Sequence, residues 1–219
     1  MSTPIRVLIA DDDALVRGAL TMMLTGTDDI RIVAEVADGS EVDSAVAAFH
    51  PDVVLMDIRM PRMDGLAATE ELRAREGAPQ VIILTTFDAD DHVLRALRAG
   101  ASGFLLKDMP PTEILKAIRL VAAGEAMLSP GVTRRLLEHF AEGGADARRA
   151  TSDGLLERLT DREREVAVAV AQGKSNAEIA ADLYMSVATV KAHVSRLLAK
   201  LELNNRVQIA LLAHDAGLT

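Results

Sequence analysis

Acidic residues follow two apolar runs in the first half of the chain, at positions where their carboxylates could bind a cation. Asp57 comes directly after the run at residues 53–56, and Asp11 and Asp12 follow the run at residues 6–10. Short apolar runs rich in β-branched residues are typical of buried strands. At the carboxyl edge of one parallel sheet such carboxylates lie together, and they repel one another unless a cation neutralises them. Hard oxygen ligands favour Mg²⁺ over zinc or copper, and Asp57 would then be placed to attack phosphorus.

Two more polar residues end apolar runs later in the same half. Thr85 follows residues 81–84, and Lys107 follows residues 103–106. A hydroxyl and an ammonium at the same sheet edge would bind a phosphoryl group through a hydrogen bond and a point charge. Each of these residues, and each of the acids, is common at the end of a strand and by itself indicates no function. Their occurrence together with the acids predicts a site that binds a phosphoryl group.

The elements that must position these residues alternate along residues 5–124. Short apolar runs and amphipathic stretches follow one another there, as in repeated βα units. Strands are predicted near residues 5–10, 30–36, 53–57, 81–85 and 103–106, and helices near 13–24, 40–49, 65–75, 89–99 and 111–123. The pattern predicts an α/β fold, a flavodoxin-like doubly wound sheet of five parallel strands in the order 2-1-3-4-5. Right-handed crossovers place the ends of strands 1 and 3 side by side.

The composition excludes several kinds of site. The 219 residues contain no cysteine, which rules out disulfides, thiolate zinc sites and cysteine nucleophiles. No apolar run approaches membrane-spanning length and no basic-then-apolar leader precedes the first strand, so we expect a cytoplasmic protein with no membrane partner. The net charge of −9 argues against nucleic acid as a partner, but it is unevenly distributed. Residues 1–125 carry 12 Lys+Arg against 21 Asp+Glu, or −9, and residues 126–219 carry 12 against 12, or zero.

The pattern changes after residue 124. A short helical segment at residues 132–140 precedes a stretch rich in Gly, Ala and charge, which is typical of a flexible linker. The predicted domains are therefore residues 1–124, a helical segment with linker at 125–154, and a second domain at 155–219.

The second domain is predicted to be small and all-α, with a helix-turn-helix. Capping boxes at residues 160–163 and 175–178 open two helices, Ser186 caps a third that runs to about residue 201, and a last helix spans residues 206–214. Two short helices, a tight turn and a longer amphipathic helix match a helix-turn-helix whose third helix enters the major groove. A generic helical bundle or a partner-binding module is the alternative.

The third helix has an apolar stripe opposite a face of small residues with basic flanks. The stripe contains Val187, Val190, Val194, Leu197, Leu198 and Leu201, and the small residues are Ala188, Ala192, Ser195 and Ala199. A helix of this shape can lie deep in a groove while its rims reach phosphates. The residues predicted to contact DNA are Thr189, Lys191, Ala192, His193, Ser195, Arg196 and Lys200.

Residues 5–123 resemble the receiver domain of two-component response regulators. The resemblance is carried by the segments at residues 9–12, 56–61, 84–86 and 106–108. It implies that Asp57 accepts a phosphoryl group and contributes to a Mg²⁺ site. In that site Asp12 would bind the ion directly, Asp11 through water, and Arg59 through its backbone carbonyl.

The same resemblance implies roles for five further side chains. Thr85 and Phe104 would repack on phosphorylation, while Lys107 would hold the phosphate. Arg59 and Phe87 would flank the path of the hydrolytic water, and because neither carries a carboxylate or an amide to orient that water, slow loss of the phosphate is expected.

Residues 155–214 resemble the LuxR-type DNA-binding domain through residues 159–166, Gly173, 175–180 and 189–194. The resemblance implies base or backbone contacts from Lys191, Ala192 and Ser195, and dimer contacts from the last helix. Together the two halves identify the chain as a response regulator of the NarL/FixJ class. Such a protein is a transcription regulator and not an enzyme; it is phosphorylated by a sensor histidine kinase, forms a homodimer and binds double-stranded promoter DNA.

Two other functions are compatible with parts of the sequence. An adaptor would have the same receiver but a helical half that binds protein. A Mg²⁺-dependent phosphohydrolase also forms an aspartyl phosphate, but such enzymes usually place a second acid two residues after the nucleophile, where this chain has Arg59.

Overall fold

The structure is a computed structural model that describes residues 3–75, 77–86, 90–128 and 158–218. The chain divides into two compact units, Met1–Leu136 and Leu137–Thr219. This division falls between described ranges. The predicted helical segment at residues 132–140 and the predicted linker lie outside the described residues, and the two domain boundaries stay predictions.

The first unit is built on one parallel sheet. Its strands are β1 (Ile5–Ala10), β2 (Ile30–Val36), β3 (Val53–Met56), β4 (Gln80–Thr85), β5 (Gly103–Leu106) and β6 (Met127–Leu128). Their order is β2-β1-β3-β4-β5-β6, which confirms the predicted flavodoxin-like order 2-1-3-4-5. The two-residue strand β6 was not predicted; it pairs in parallel with β5.

Helices connect these strands in strict alternation, as predicted. They are α1 (Ala14–Thr25), α2 (Gly39–Phe49), α3 (Gly65–Arg73), α4 (Asp90–Arg98) and α5 (Pro111–Ala122). An aspartate side chain caps the first residues of three of them: Asp13 on α1, Asp38 on α2 and Asp64 on α3. Each carboxylate accepts a backbone N–H that the first turn leaves unpaired, which fixes where the helix begins.

One core of the first unit lies between the sheet and the helices α1 and α5. Alternate residues of the strands point to this side, which is why β1 contributes Val7 and Ile9 and β3 contributes Val53 and Leu55. The other members are Leu20, Leu24, Ile30, Ile82, Leu84, Leu105, Ile114, Ala117, Ile118 and Val121. Full burial of one such aliphatic side chain contributes roughly 1.5–3 kcal/mol, so the strands are held rigidly and their carboxyl ends are fixed.

The second unit is helical in its described residues. Its helices are α6 (Asp161–Ala171), α7 (Asn176–Asp182), α8 (Val187–Leu201) and α9 (Arg206–Asp215). Both predicted capping boxes are present, Thr160 with Glu163 on α6 and Ser175 with Glu178 on α7. Ser186 caps α8 through the N–H of Thr189. Among the described residues, no helix is long and apolar enough to cross a bilayer.

One member of the predicted apolar stripe of α8 does not belong to the core. Val190, Val194, Leu197 and Leu201 are buried, but Val187 is 43% exposed. It is the first residue of the helix, and the stripe there extends one turn beyond the core of this unit, which begins on α8 at Val190.

Candidate functional site

Three carboxylates meet at the carboxyl ends of β1 and β3. Ala10 is paired with Met56 in the sheet, so the next residue on each strand, Asp11 or Asp57, leaves the sheet at the same place. The N–H of Asp57 donates to the carbonyl of Ala10 at 2.8 Å. One carboxylate oxygen from each of Asp11, Asp12 and Asp57 lies within 4.8 Å of the others. Asp11 and Asp57 are buried and Asp12 is exposed, so the cluster opens to solvent on one side.

Lys107 connects the two buried carboxylates. Its Nζ lies 2.6 Å from Oδ2 of Asp11 and 3.2 Å from Oδ1 of Asp57. The backbone places it there, because its N–H donates to the carbonyl of Thr85 on the neighbouring strand. Burial raises the pKa of Asp57; the charge of Lys107 opposes this rise and the charge of Asp11 adds to it. The ammonium thus neutralises part of a charge cluster that would otherwise be unfavourable to bury.

Thr85 and Phe104 occupy neighbouring strands beside this cluster. Thr85 ends β4 and is 2% exposed, and Phe104 on β5 is fully buried. Phe104 pairs with Ile83, which lies two residues before Thr85 on β4. Phe87, predicted to lie near the hydrolytic water, is outside the described residues.

The segment after Asp57 is held by two close approaches of backbone that sequence reasoning missed. A Cβ on Gly65 would lie 1.9 Å from the carbonyl oxygen of Asp57, and a Cβ on Gly39 would lie 2.5 Å from the carbonyl oxygen of Met63. Any side chain at either position would force the backbone apart. Asp38 adds a hydrogen bond of 2.8 Å from the N–H of Arg62. The signal in the sequence was an Asp-Gly pair at the start of both α2 and α3.

The donor set fits a hard divalent cation. Three carboxylate oxygens are the kind of ligands that Mg²⁺ prefers, and the exposed Asp12 opens the cluster to solvent. Asp57 is also within reach of an ammonium and lies next to a strand that ends in a hydroxyl. A carboxylate placed in this way is equipped to accept a phosphoryl group, because the charges of that group meet positive partners.

The second unit exposes most of the predicted DNA-contact residues on one side of α8. Thr189, Lys191, Ala192, Ser195 and Arg196 are exposed. The Thr189 hydroxyl lies 2.8 Å from that of Ser186, so it also belongs to the helix cap.

His193 and Lys200 differ from the rest of the predicted contact set, since both are half-buried. The Lys200 ammonium lies 2.7 Å from Glu163 on α6. The Nδ1 atom of His193 is buried and has no hydrogen-bond partner among the described residues. Both residues are less exposed than the other five residues of the predicted contact set.

Comparisons with known proteins agree with the division of the chain into two units. The family described as response regulator receiver domain matches residues 7–119, and the family described as bacterial regulatory proteins, luxR family, matches residues 157–213. The transcriptional regulatory protein LiaR of Bacillus subtilis is 38% identical over 210 residues, which cover 96% of this chain and 97% of LiaR. The nitrate/nitrite response regulator protein NarL of Escherichia coli is 34% identical over 212 residues, which cover 97% and 96% of the two chains.

A solved structure of a response regulator is also similar to this chain. The crystal structure of the response regulator ChrA, of a heme-sensing two-component system, is 36% identical to this chain, covers 100% of both chains and has a TM-score of 0.54. Because both family models match in the expected order and the relatives are covered over nearly their whole length, the chain belongs to the two-component response regulators of the NarL/FixJ class, in which a receiver domain precedes a LuxR-type DNA-binding domain.

Proposed function

We propose that this chain is a transcription regulator switched by phosphorylation of Asp57, with a sensor histidine kinase as phosphodonor and Mg²⁺ as cofactor. The observation that carries the proposal is the cluster of Asp11, Asp12 and Asp57 with Lys107 between the two buried carboxylates. In this proposal the chain acts on no other molecule as an enzyme. Binding to promoter DNA would place it in the cytoplasm.

The chemistry needs one nucleophile and several charge partners. A carboxylate oxygen of Asp57 attacks the phosphorus of a phosphohistidine, a P–O bond forms, the P–N bond breaks, and the imidazole nitrogen keeps the electron pair and takes a proton from solvent. Lys107 offers its ammonium and Thr85 its hydroxyl to the oxygens of the phosphoryl group. Bound at Asp11, Asp12, Asp57 and the carbonyl of Arg59, Mg²⁺ would neutralise charge on the carboxylates and the phosphoryl group.

The output of the switch would be a homodimer that binds DNA. A single helix-turn-helix covers one half-site, and joining two makes the second contact intramolecular. Support comes from the exposed side of α8, where Lys191 and Arg196 flank the small residues Ala192 and Ser195. These residues form the predicted reading surface.

A DNA-binding experiment separates this function from that of an adaptor. The full chain, treated with acetyl phosphate and Mg²⁺, is titrated against random genomic fragments at several salt concentrations. A transcription regulator retards fragments with an affinity that falls as the salt concentration rises. Binding releases cations from the DNA phosphates, and added salt opposes this release. An adaptor retards none. A phosphohydrolase would release phosphate from added phosphomonoesters under the same conditions.

A further inference from the structure

The turn between α7 and α8 carries a tyrosine in an unusual conformation. Tyr184 is 97% exposed, the most exposed large hydrophobic side chain of the described residues, and its φ is 53°. An L side chain rarely adopts this left-handed conformation, which glycine adopts without cost. Neither the exposed ring nor the strained backbone stabilises the unit by itself.

The turn is nevertheless fixed by the residues around it. The guanidinium of Arg162 donates to the carbonyl of Leu183, just before the tyrosine. On the other side, the N–H of Met185 donates to the carbonyl of Ala180 at 2.9 Å. Tyr184 therefore projects its ring from a backbone that is tied on both sides.

Tyr184 lies in the chain just before the end of α8 that enters the DNA groove in a helix-turn-helix. Tyr184 precedes the first residue of α8, Val187, by three positions, and Val187 is itself 43% exposed. In this motif the N-terminal residues of the reading helix contact base edges while the preceding helix crosses the phosphate backbone, so the turn that joins the two helices lies at the edge of the groove. Tyrosine is one of the neutral side chains that donate to phosphate, and its ring can pack on the adjoining sugar.

We infer that Tyr184 is a DNA-contact residue, whose hydroxyl donates to a backbone phosphate at the edge of the groove. The inference rests on the proposed function and adds a position absent from the predicted contact set. Because the phenol is neutral, its contact releases no counterion. It therefore differs from the contacts of Lys and Arg in how it depends on salt.

The test uses the full chain treated with acetyl phosphate and Mg²⁺, a labelled duplex selected from a random library, and a scrambled duplex of the same composition. Tyr184→Phe, which removes only the hydroxyl, should weaken binding to both duplexes roughly tenfold, the loss expected for one hydrogen bond to a charged group. The slope of affinity against salt should stay as in the wild type. Phe49→Ala removes an exposed ring from α2 in the other unit and should leave DNA affinity unchanged.

A second variant separates DNA contact from folding. Tyr184→Gly removes the ring and relieves the left-handed backbone, so its unfolding temperature should equal or exceed that of the wild type. Its DNA affinity should fall at least as far as that of Tyr184→Phe. Loss of binding by a variant that is no less stable than the wild type cannot be assigned to unfolding.

The sequence supplies an optical reporter for the same contact. Tyr184 is the single tyrosine of a chain that has no tryptophan. Acrylamide should quench its emission freely in the unbound protein and less in the complex. Equal quenching with and without saturating duplex would contradict the inference.

The remaining outcomes are distinct. A wild type that binds neither duplex would overturn the proposed function itself. A wild type that binds, with both Tyr184 variants equal to it, would overturn only the tyrosine contact. A loss confined to the selected duplex, or a flatter salt slope, would also exclude a neutral phosphate contact.

Discussion

The ammonium of Lys200 lies 2.7 Å from a carboxylate oxygen of Glu163, which joins the last turn of α8 to the first turn of α6. The same carboxylate accepts the N–H and the hydroxyl of Thr160 at 2.9 and 3.0 Å. These hydrogen bonds, that of Lys200 foremost, lower the pKa of Glu163 to about 2. A carboxyl group whose pKa is lowered by folding stabilises the folded state above its ordinary pKa, and this contribution is lost as the pH falls toward 2.

Replacing Lys200 by Met should therefore destabilise the second unit. The variant keeps the apolar stem but loses the charge, and we expect a loss of roughly 0.5–1 kcal/mol at neutral pH, as for a partly exposed ion pair. Thermal unfolding followed by circular dichroism measures it. The difference from the wild type should shrink between about pH 5 and pH 2, as Glu163 is protonated. Lys191→Met, on the exposed side of α8, is the matched control, and an equal loss in both variants would contradict the role of the ion pair.

Asp57→Asn should abolish phosphorylation by acetyl phosphate, because an amide is no nucleophile. Intact-mass measurement after incubation with Mg²⁺ detects the added phosphate. Asp28→Asn, at an exposed position of the same unit, should still gain it. A phosphorylated Asp57→Asn protein would mean that another residue, Asp12 or Asp13, is the acceptor.

The same Asp57→Asn variant should unfold at a higher temperature than the wild type at neutral pH without added metal. Burial raises the pKa of Asp57, so the folded state loses stability as the pH rises above the ordinary pKa of this carboxyl group, and the neutral amide avoids this penalty. Added Mg²⁺ should raise the unfolding temperature of the wild type more than that of the variant, since a ligand that binds only the folded form stabilises it. An equal response to Mg²⁺ would argue against Asp57 as a ligand.

Phosphorylation should raise DNA affinity by promoting dimerisation. Linking two DNA-binding domains gives the second half-site contact a high effective concentration, so affinity rises without any new contact to DNA. Sedimentation of the acetyl-phosphate-treated chain should show a dimer where the untreated chain shows a monomer. Equal mass and equal DNA affinity in the two states would mean that the switch works by another route or does not operate.

Lys191 and Arg196 should differ in how they contact DNA. If Lys191 reads a guanine edge, Lys191→Ala costs about 1–3 kcal/mol and relaxes preference at one position of each half-site. Arg196→Ala should weaken all sequences alike and flatten the salt slope by about one per site. Titration against selected and scrambled duplexes distinguishes them, and an equal loss on both for Lys191→Ala would exclude base reading. Lys200, predicted from the sequence to contact DNA, forms an ion pair with Glu163 and should affect stability more than the salt slope.

The sequence was sufficient to predict the elements that depend on residues close together in the chain. The apolar runs that end at Asp11 and Asp57 predict their strands, and the capping box at Thr160 predicts the start of α6, because periodicity and caps act within a few residues. Contacts between distant residues were not predictable in this way. Glu163 and Lys200 are 37 positions apart, and Asp38 meets Arg62 across 24.

Other features were missed because local rules point elsewhere. Glycine is the residue expected where φ is positive, so nothing in the sequence marks Tyr184 as left-handed. Strand β6 is only two residues long and has no periodicity to detect. Val187 matches the spacing of the apolar stripe, but spacing does not indicate where a core ends.

The short strand β6 also limits how copies of the first unit can associate. An open sheet edge can recruit a strand from another molecule, and proteins discourage this with edges that are very short or charged. Met127 and Leu128 offer two residues at one edge, and β2 at the other edge carries the exposed charges of Arg31 and Glu35. Neither edge, as far as the structure describes it, is suited to strand addition, so an intermolecular sheet that would lead to aggregation is disfavoured.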